Sequence, residues 1–415
     1  MNKIANRYVK LYPFYFGLLA DLMFYIAIDT LFLSLVKEFS PAEIVSITSL
    51  SQVICIALQF PLLYVMNKIG NTASIRVGAF CMLASAIFIT AGKSYLLVLT
   101  GRVFHDVSVV FQNASIVALE NNLDMADRRK DFVRARTSAN TVYSVITMLI
   151  AFVASALFNM NRYLPMLGCI ACCIVGCVLS LFMKDCSPHN KITPQAKEKK
   201  EKIKVHYGKI ILLALVLYGL FYTTVNSTQS EGKLFIQQNL LVKFNEDNTA
   251  LVIGAVVCFS RIIRVISNLI FAKLYEKHRA KMGIALPALV GLALSFMLFG
   301  SFIPAIVLKI IVMGIGYSLI LFTRDPFKVS IQDVVFDHTP PEQHQTLLAV
   351  LLFGTKVGVA GTGLIFSAVL LSYPLIAVIA LLFALALVET ALSIWLYNAV
   401  LSQKNKKNAA SVLPS

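Results

Sequence analysis

Charge is scarce in this 415-residue chain: Asp, Glu, Lys and Arg together supply 14% of it, against roughly a quarter in a soluble domain. No segment sets a nucleophile beside a base, gathers metal ligands or forms a phosphate-cradling loop, so neither a membrane-embedded enzyme nor a nucleotide-driven pump is expected, and no cofactor is implied. The eight cysteines do not suggest a disulfide framework, because all but Cys186 lie inside apolar runs and read as small buried hydrophobes. Cys169, Cys172, Cys173 and Cys177 share one helix face, yet with no histidine nearby they read as packing rather than as metal ligands.

What is abundant is apolar surface. Hydrophobic residues make up 58% of the chain and the mean hydropathy is +0.77, which excludes a soluble enzyme, a secreted scaffold and a disordered tail, and places the chain in a bilayer. A bilayer core takes about 20 apolar residues per helix. Runs of that kind fall near 12–36, 42–66, 76–92, 95–119, 138–158, 164–183, 208–232, 249–272, 282–301, 305–325, 346–372 and 374–398, or twelve spans. The first is longer than a signal-peptide core, carries Asp21 and Asp29 and has no small-residue cleavage site behind it, so it reads as a span.

The net charge of +16 would point to nucleic acid in a soluble protein. Sorted by loop it gives the topology instead. With the N-terminus inside, twenty-seven basic residues fall in the inner segments and only Lys37, Lys93, Arg162 and Lys243 in the outer ones, which sets both termini in the cytoplasm by the positive-inside rule. The surplus orients the protein and attracts anionic lipid headgroups. The organisation expected is an N-terminal six-helix bundle at 1–183, a basic cytoplasmic linker at 184–207, a C-terminal bundle at 208–399 and a cytoplasmic tail at 400–415. Sliding the second half back by about 207 residues brings three landmarks near register, among them the loop at Asn67-Lys68 against Glu276-Lys277, as a duplicated unit would.

After span 2 the chain reads Leu63-x-x-x-Asn67-Lys68-Ile69-Gly70-Asn71-Thr72, and after span 8 Ala272-x-x-x-Glu276-Lys277-His278-Arg279-Ala280. With the span count and the basic central loop, these resemble the major facilitator superfamily of secondary transporters, whose signature at this loop is G-x-x-x-D-(R/K)-x-G-(R/K)-(R/K). The resemblance implies an all-α membrane fold of twelve helices in two pseudo-symmetric halves, working by alternating access. It also implies that Asn67, Lys68, Gly70, Glu276 and Lys277 belong to gating loops, the first weakened because Asn67 replaces the family's acid. Arg102 matches an arginine that the family often carries in span 4, in Arg102-Val-Phe-His105-Asp106, where Asp106 replaces a glycine. The fifth-span antiporter signature is missing, since 137–158 contains neither glycine nor proline.

A charge at the bilayer centre costs about 2.5–3.5 kcal/mol on insertion scales, so each buried one is a candidate site. In span 1, Asp21, Tyr25 and Asp29 recur every four residues, which predicts one helix face. Span 4 carries Arg102, Asp106, Asn113 and Glu120 as a stripe flanked by His105 and Gln112, and helical depth allows an Asp29 to Arg102 pair, structural or coupled to protons. His105 and Asp106, adjacent in sequence, are not expected to face one another on a helix. The second half is mainly cationic, with Arg261 and Arg264 on one face of span 8, Lys309 in span 10 and Lys356 in the small-residue run Gly354–Gly363 of span 11. Span 7 adds a polar stripe with Tyr222, Asn226 and Gln229.

These residues suggest a proton-coupled carrier of a small anionic or zwitterionic organic solute. Arg261, Arg264, Lys309, Lys356, Tyr222, Asn226, Gln229 and Tyr25 are its expected substrate contacts, and Asp21, Asp29, Arg102 and Asp106 its proton-coupling groups. The expected partners are the solute, protons and membrane lipids, without nucleic acid, for a monomer in a bacterial cytoplasmic membrane. Two readings stand beside it: a multidrug efflux antiporter using Asp21 or Asp29 against lipophilic cations, and a non-transporting receptor or scaffold.

Overall fold

In the computed structural model, residues 2–128, 131–186, 208–339 and 344–412 are described; the linker beyond residue 186 lies outside them. Among the described residues the chain is helical throughout, with no strand. The chain opens with α1 (Asn2–Leu19), α2 (Tyr25–Leu31) with a π turn at Phe32–Val36, α3 (Pro41–Ile69), α4 (Asn71–Ala91), α5 (Tyr95–Met125) and α6 (Phe132–Met160). Then come α7 (Leu164–Phe182), α8 (Lys209–Ser227), a second π turn at Thr228–Gly232, α9 (Lys233–Leu241), α10 (Glu246–Gly300), α11 (Ile306–Asp337), α12 (His344–Leu370) and α13 (Leu375–Val412). The helix α10 bends at His278, whose backbone leaves the helical region.

Local chemistry sets several of these ends. Ser40 and Glu43 close a capping box at the start of α3, with Pro41 in the first helical position. Gly70, at φ 82°, ends α3 and begins α4 in a single residue, a conformation that suits glycine. Large apolar side chains such as Phe60, 81% exposed, face outward, as a lipid solvent permits.

Among the described residues ten helical segments are long and apolar enough to cross a membrane, two of them within α10 and one made of α8 with α9. The other two expected spans differ in physical character. The segment at 95–125 is one helix, α5, but Arg102, His105, Asp106, Gln112 and Asn113 lower its hydropathy. Span 1, by contrast, is not continuous: it breaks between Leu19 and Tyr25. The expectation that Asp21, Tyr25 and Asp29 share one helix face therefore fails for Asp21, which lies in the break. Its carboxylate accepts the Leu22 N–H at 2.8 Å, a local bond that competes with helical pairing. The carbonyl of Leu19, freed by the break, accepts from the Gln112 amide of α5, so the irregular backbone is satisfied by protein.

The chain forms two compact units, Met1–Lys200 with Phe244–Cys258, and Glu201–Lys243 with Phe259–Ser415. Within the first, α4 and α5 approach closely at Gly78 and Gly101; a Cβ on Gly101 would lie 2.8 Å from the Ile89 side chain. The opening turns of α10 belong to this unit, where Arg162 pairs with Glu246 and Gly254 packs on Ser155. Within the second, α8 is the central helix. The small-residue run of α12 packs against it, Gly354 on Gly219 and Gly358 on Thr223, the close approach expected of such a run. Phe221 of α8 stacks on Phe327 of α11 with ring centroids 3.7 Å apart.

Candidate functional site

Each unit holds a buried polar network assembled around an interrupted helix. In the first, the break at 20–24 brings Asp21 against α5. His105 lies between two carboxylates: Nε2 is 3.0 Å from Asp21 Oδ1 and Nδ1 is 3.0 Å from Asp106 Oδ1. Ser51 of α3 donates to the other Asp106 oxygen at 2.7 Å, and Arg102 Nε stands 3.9 Å from Asp106 Oδ1. His105 and Asp106 do face one another, contrary to the sequence expectation. The i,i+1 spacing forbids contact through helix geometry alone, but the imidazole reaches back to a carboxylate that Ser51 holds in place.

Each imidazole–carboxylate gap needs one hydrogen, and an ionised carboxylate only accepts. Asp21, His105 and Asp106 therefore hold two protons among three groups, for a net charge of −1 that Arg102 balances. Within the triad Asp21, at 29% exposure, is the more accessible carboxylate and Asp106 the buried one. Asp29 accepts the Thr30 N–H at 2.7 Å and is within electrostatic reach of Arg102, as is Tyr25, which is buried.

In the second unit, Arg264 is held by Asp325 of α11, Nε to Oδ2 at 2.7 Å and Nη2 to Oδ1 at 3.1 Å, with Asn268 donating to the same carboxylate. This bidentate pair cancels one of the cations expected to face solute. Arg324, one residue before Asp325, lies within electrostatic reach of both Arg261 and Arg264 and donates to Gln229 Oε1 at 3.2 Å. Tyr222 bonds the Arg324 carbonyl and Tyr317 the Gln229 carbonyl. Neither Arg261 nor Arg324 forms an ion pair among the described residues. Arg261 Nε and Gln229 Nε2 are buried donors without a partner.

The remaining expected contacts are scattered. Asn226 is half-buried on α8; Lys309 reaches Asn239 at 3.4 Å rather than the arginines; Lys356 is half-buried on α12. The π turn at Thr228–Gly232 interrupts the stripe through Asn226 and Gln229, and such turns mark functional positions in many helices.

At the inner ends, Asn67 is half-buried, Lys68 and Lys277 are exposed, and the side chain of Glu276 lies outside the described residues. The bonds fall beside these positions. Asp185, just after α7, accepts from Asn71 at 2.6 Å and Asn121 at 2.9 Å, and its N–H donates to Thr72. In the second unit Arg279 pairs with Asp333 and Asp337, and Tyr275 donates to Asp333 at 2.6 Å. Sequence reasoning passed over Arg324, Asp185 and Arg279; only Arg279 had a local signal, as a base in the repeated loop. Among the described residues no three His, Cys, Asp or Glu side chains are placed to hold a metal.

Comparison with known proteins bears on this geometry. The family model described as Major Facilitator Superfamily matches residues 14–324. The structure of the nucleoside transporter NupG superposes with a TM-score of 0.74 at 11% identity, covering 96% of this chain and 98% of that one. A bacterial homologue of the iron transporter ferroportin, in its inward-facing state, gives 0.66 at 14% identity, covering 95% and 98%. No curated protein matches by sequence.

Proposed function

As the chain belongs to the major facilitator superfamily, and is thus a multi-pass membrane transporter rather than an enzyme, we propose that it carries a small organic anion, or a zwitterion bound through its anionic group, in exchange with or alongside protons. The observation that carries the solute class is the uneven pairing of the arginines. Arg264 is neutralised by Asp325 through two hydrogen bonds, whereas neither Arg261 nor Arg324 forms an ion pair among the described residues, and Gln229, which accepts from Arg324, keeps an unpartnered amide donor. Guanidinium forks match carboxylate and phosphate oxygens. Tyr218, Tyr222 and Tyr317 frame the network with ring surface suited to the organic part of the solute. Arg264 is removed from the substrate contacts and becomes a positioning residue.

The proton role falls to the network of Asp21, His105, Asp106 and Arg102, with Asp29 and Tyr25 alongside. A triad that holds two protons among three groups changes its charge by one unit on gaining or losing a proton, which is what coupling requires. The efflux reading has less support, because of the two acids it could use, Asp21 is engaged by His105 and Asp29 lies within electrostatic reach of Arg102. The nucleoside and iron names belong to proteins 11% and 14% identical to this chain and choose no substrate for it. The positive-inside bias supports cytoplasmic termini, the short loops between spans support a bacterial cytoplasmic membrane, and the carrier is taken as a monomer.

A thermal-shift screen of the detergent-solubilised protein against metabolites sorted by charge tests the reading. A ligand at a hundred times its dissociation constant adds about 2.7 kcal/mol of stability. Stabilisation by anions, lost in Arg324→Ala and kept in Arg264→Gln, is the expected result. Stabilisation by lipophilic cations alone overturns it.

A further inference from the structure

Neither network uses Glu389. It lies on α13, fully buried, and its one described bond is to α8, where the Thr224 hydroxyl donates to Oε1. Its other oxygen, Oε2, is buried with no hydrogen-bond partner. An ionised carboxylate offers about four lone-pair positions, and here one hydroxyl serves them.

The charged and titratable groups on the packed elements do not compensate it. On α8 these are Tyr218, Tyr222 and Lys209, and Lys209 sits over the Trp395 ring at 5.1 Å. The adjoining π turn brings Glu231, a like charge that accepts from Ser230 at 2.5 Å, and neither the buried Lys233 that follows it nor Arg324, Asp325, Lys328 and Asp333 of α11, which meets α13 at Ser330 and Tyr397, bonds to Glu389. Lys356 of α12 forms no ion pair among the described residues. Arg279 of α10, whose second span meets α13 where Ser393 donates to the Gly283 carbonyl, is bound to Asp333 and Asp337. A buried acid without cation or donors relieves the cost of its charge by taking up a proton. A hard cation would need six or more oxygens, and among the described residues a single hydroxyl is supplied.

We propose that Glu389 is a proton-binding site of the second unit, filled at neutral pH in this conformation and separate from the His105 network. Thr224 is two residues from Tyr222, the α8 side chain that bonds the Arg324 carbonyl of the cationic network. Loss of the Glu389 proton therefore places a negative charge against the helix that presents Arg324's partners, giving this unit a proton response of its own. The assignment concerns the unliganded chain and does not depend on the solute class or on His105.

Infrared spectra of the purified protein in light and heavy water test it. The wild type is expected to show a deuterium-sensitive band of a protonated carboxyl at neutral pH, absent from Glu389→Gln and retained in His105→Asn. In Thr224→Val the band moves to higher frequency, since the carbonyl loses its donor; this second variant decides the matter if the glutamine protein folds poorly. Because the unfolded chain ionises this glutamate at about pH 4.3 while the folded chain keeps it protonated, Glu389→Gln is expected to match the wild type in thermal midpoint only in acid and to exceed it progressively as pH rises from there through neutrality. A neutral-pH band that is absent in the wild type, unchanged in Glu389→Gln or unmoved in Thr224→Val overturns the proposal. So does stabilisation of the wild type alone by sodium salts, which would mark an ionised carboxylate holding a cation.

Discussion

Replacing Asp325 by asparagine separates structural cations from solute-binding ones. The substitution keeps the shape and one acceptor oxygen but removes the charge that holds Arg264 through two hydrogen bonds of 2.7 and 3.1 Å. Hydrogen bonds to charged groups contribute about 1.5–3 kcal/mol each. The two side chains are 24% and 29% exposed, so water takes over part of the loss, and the net destabilisation comes to about 2 kcal/mol. For a folding unit of about 150–250 residues that lowers the thermal midpoint by roughly 4–8 °C. Arg264→Gln should lose a similar amount, because it strands Asp325. The double variant should recover most of the deficit, since a buried pair removed whole leaves no uncompensated charge. Thermal unfolding of the four proteins in one detergent gives the cycle directly. A fall of several degrees in the singles with recovery in the double assigns Arg264 to structure. Neutral singles, or a double variant as unstable as the sum of both, would refute the pairing argument and return Arg264 to the substrate contacts.

Other expectations are simpler to check. In proteoliposomes, His105→Asn should uncouple solute uptake from an imposed pH gradient while leaving equilibrium solute binding intact; uptake still driven by the gradient contradicts the two-proton triad. Asp106→Asn should weaken the same coupling and lower the thermal midpoint, because Ser51 and His105 each lose a charged acceptor; an unchanged midpoint tells against that geometry. A Cβ on Gly283 would lie 1.9 Å from the Tyr397 ring, so Gly283→Ala should destabilise by about 1–3 kcal/mol, measured by heat, and Tyr397→Phe should not rescue it.

Much of the architecture was legible because bilayer burial writes itself along the chain. The apolar runs, the basic inner loops and the glycine run of α12 are local patterns, and a local pattern survives without tertiary information. The Arg102–Asp106 stripe was legible for the same reason, since four residues make one helical turn. Asp325 was not recognisable as the partner of Arg264, because the two meet across helices sixty-one residues apart, and sequence alone weighs every acid near an arginine equally. The break in span 1 was hidden by its composition: Ala20 to Phe24 is as apolar as its flanks apart from Asp21. What breaks the helix is the availability of Gln112 and His105 to satisfy it, a property of another segment. His105 was misjudged because helix spacing describes Cβ positions, and a long side chain anchored from a third helix is not bound by it.

That break also constrains how the protein is made. The two groups that satisfy it, His105 and Gln112, lie 84 and 93 residues further along the chain. At synthesis rates of about 5–20 residues per second, several seconds pass between the emergence of Asp21 and that of its partners. During that interval the opening segment presents an acid and unpaired carbonyls to the insertion machinery with nothing to match them. Its final depth must therefore be settled after α5 arrives, so the first segment to leave the ribosome is among the last to find its place.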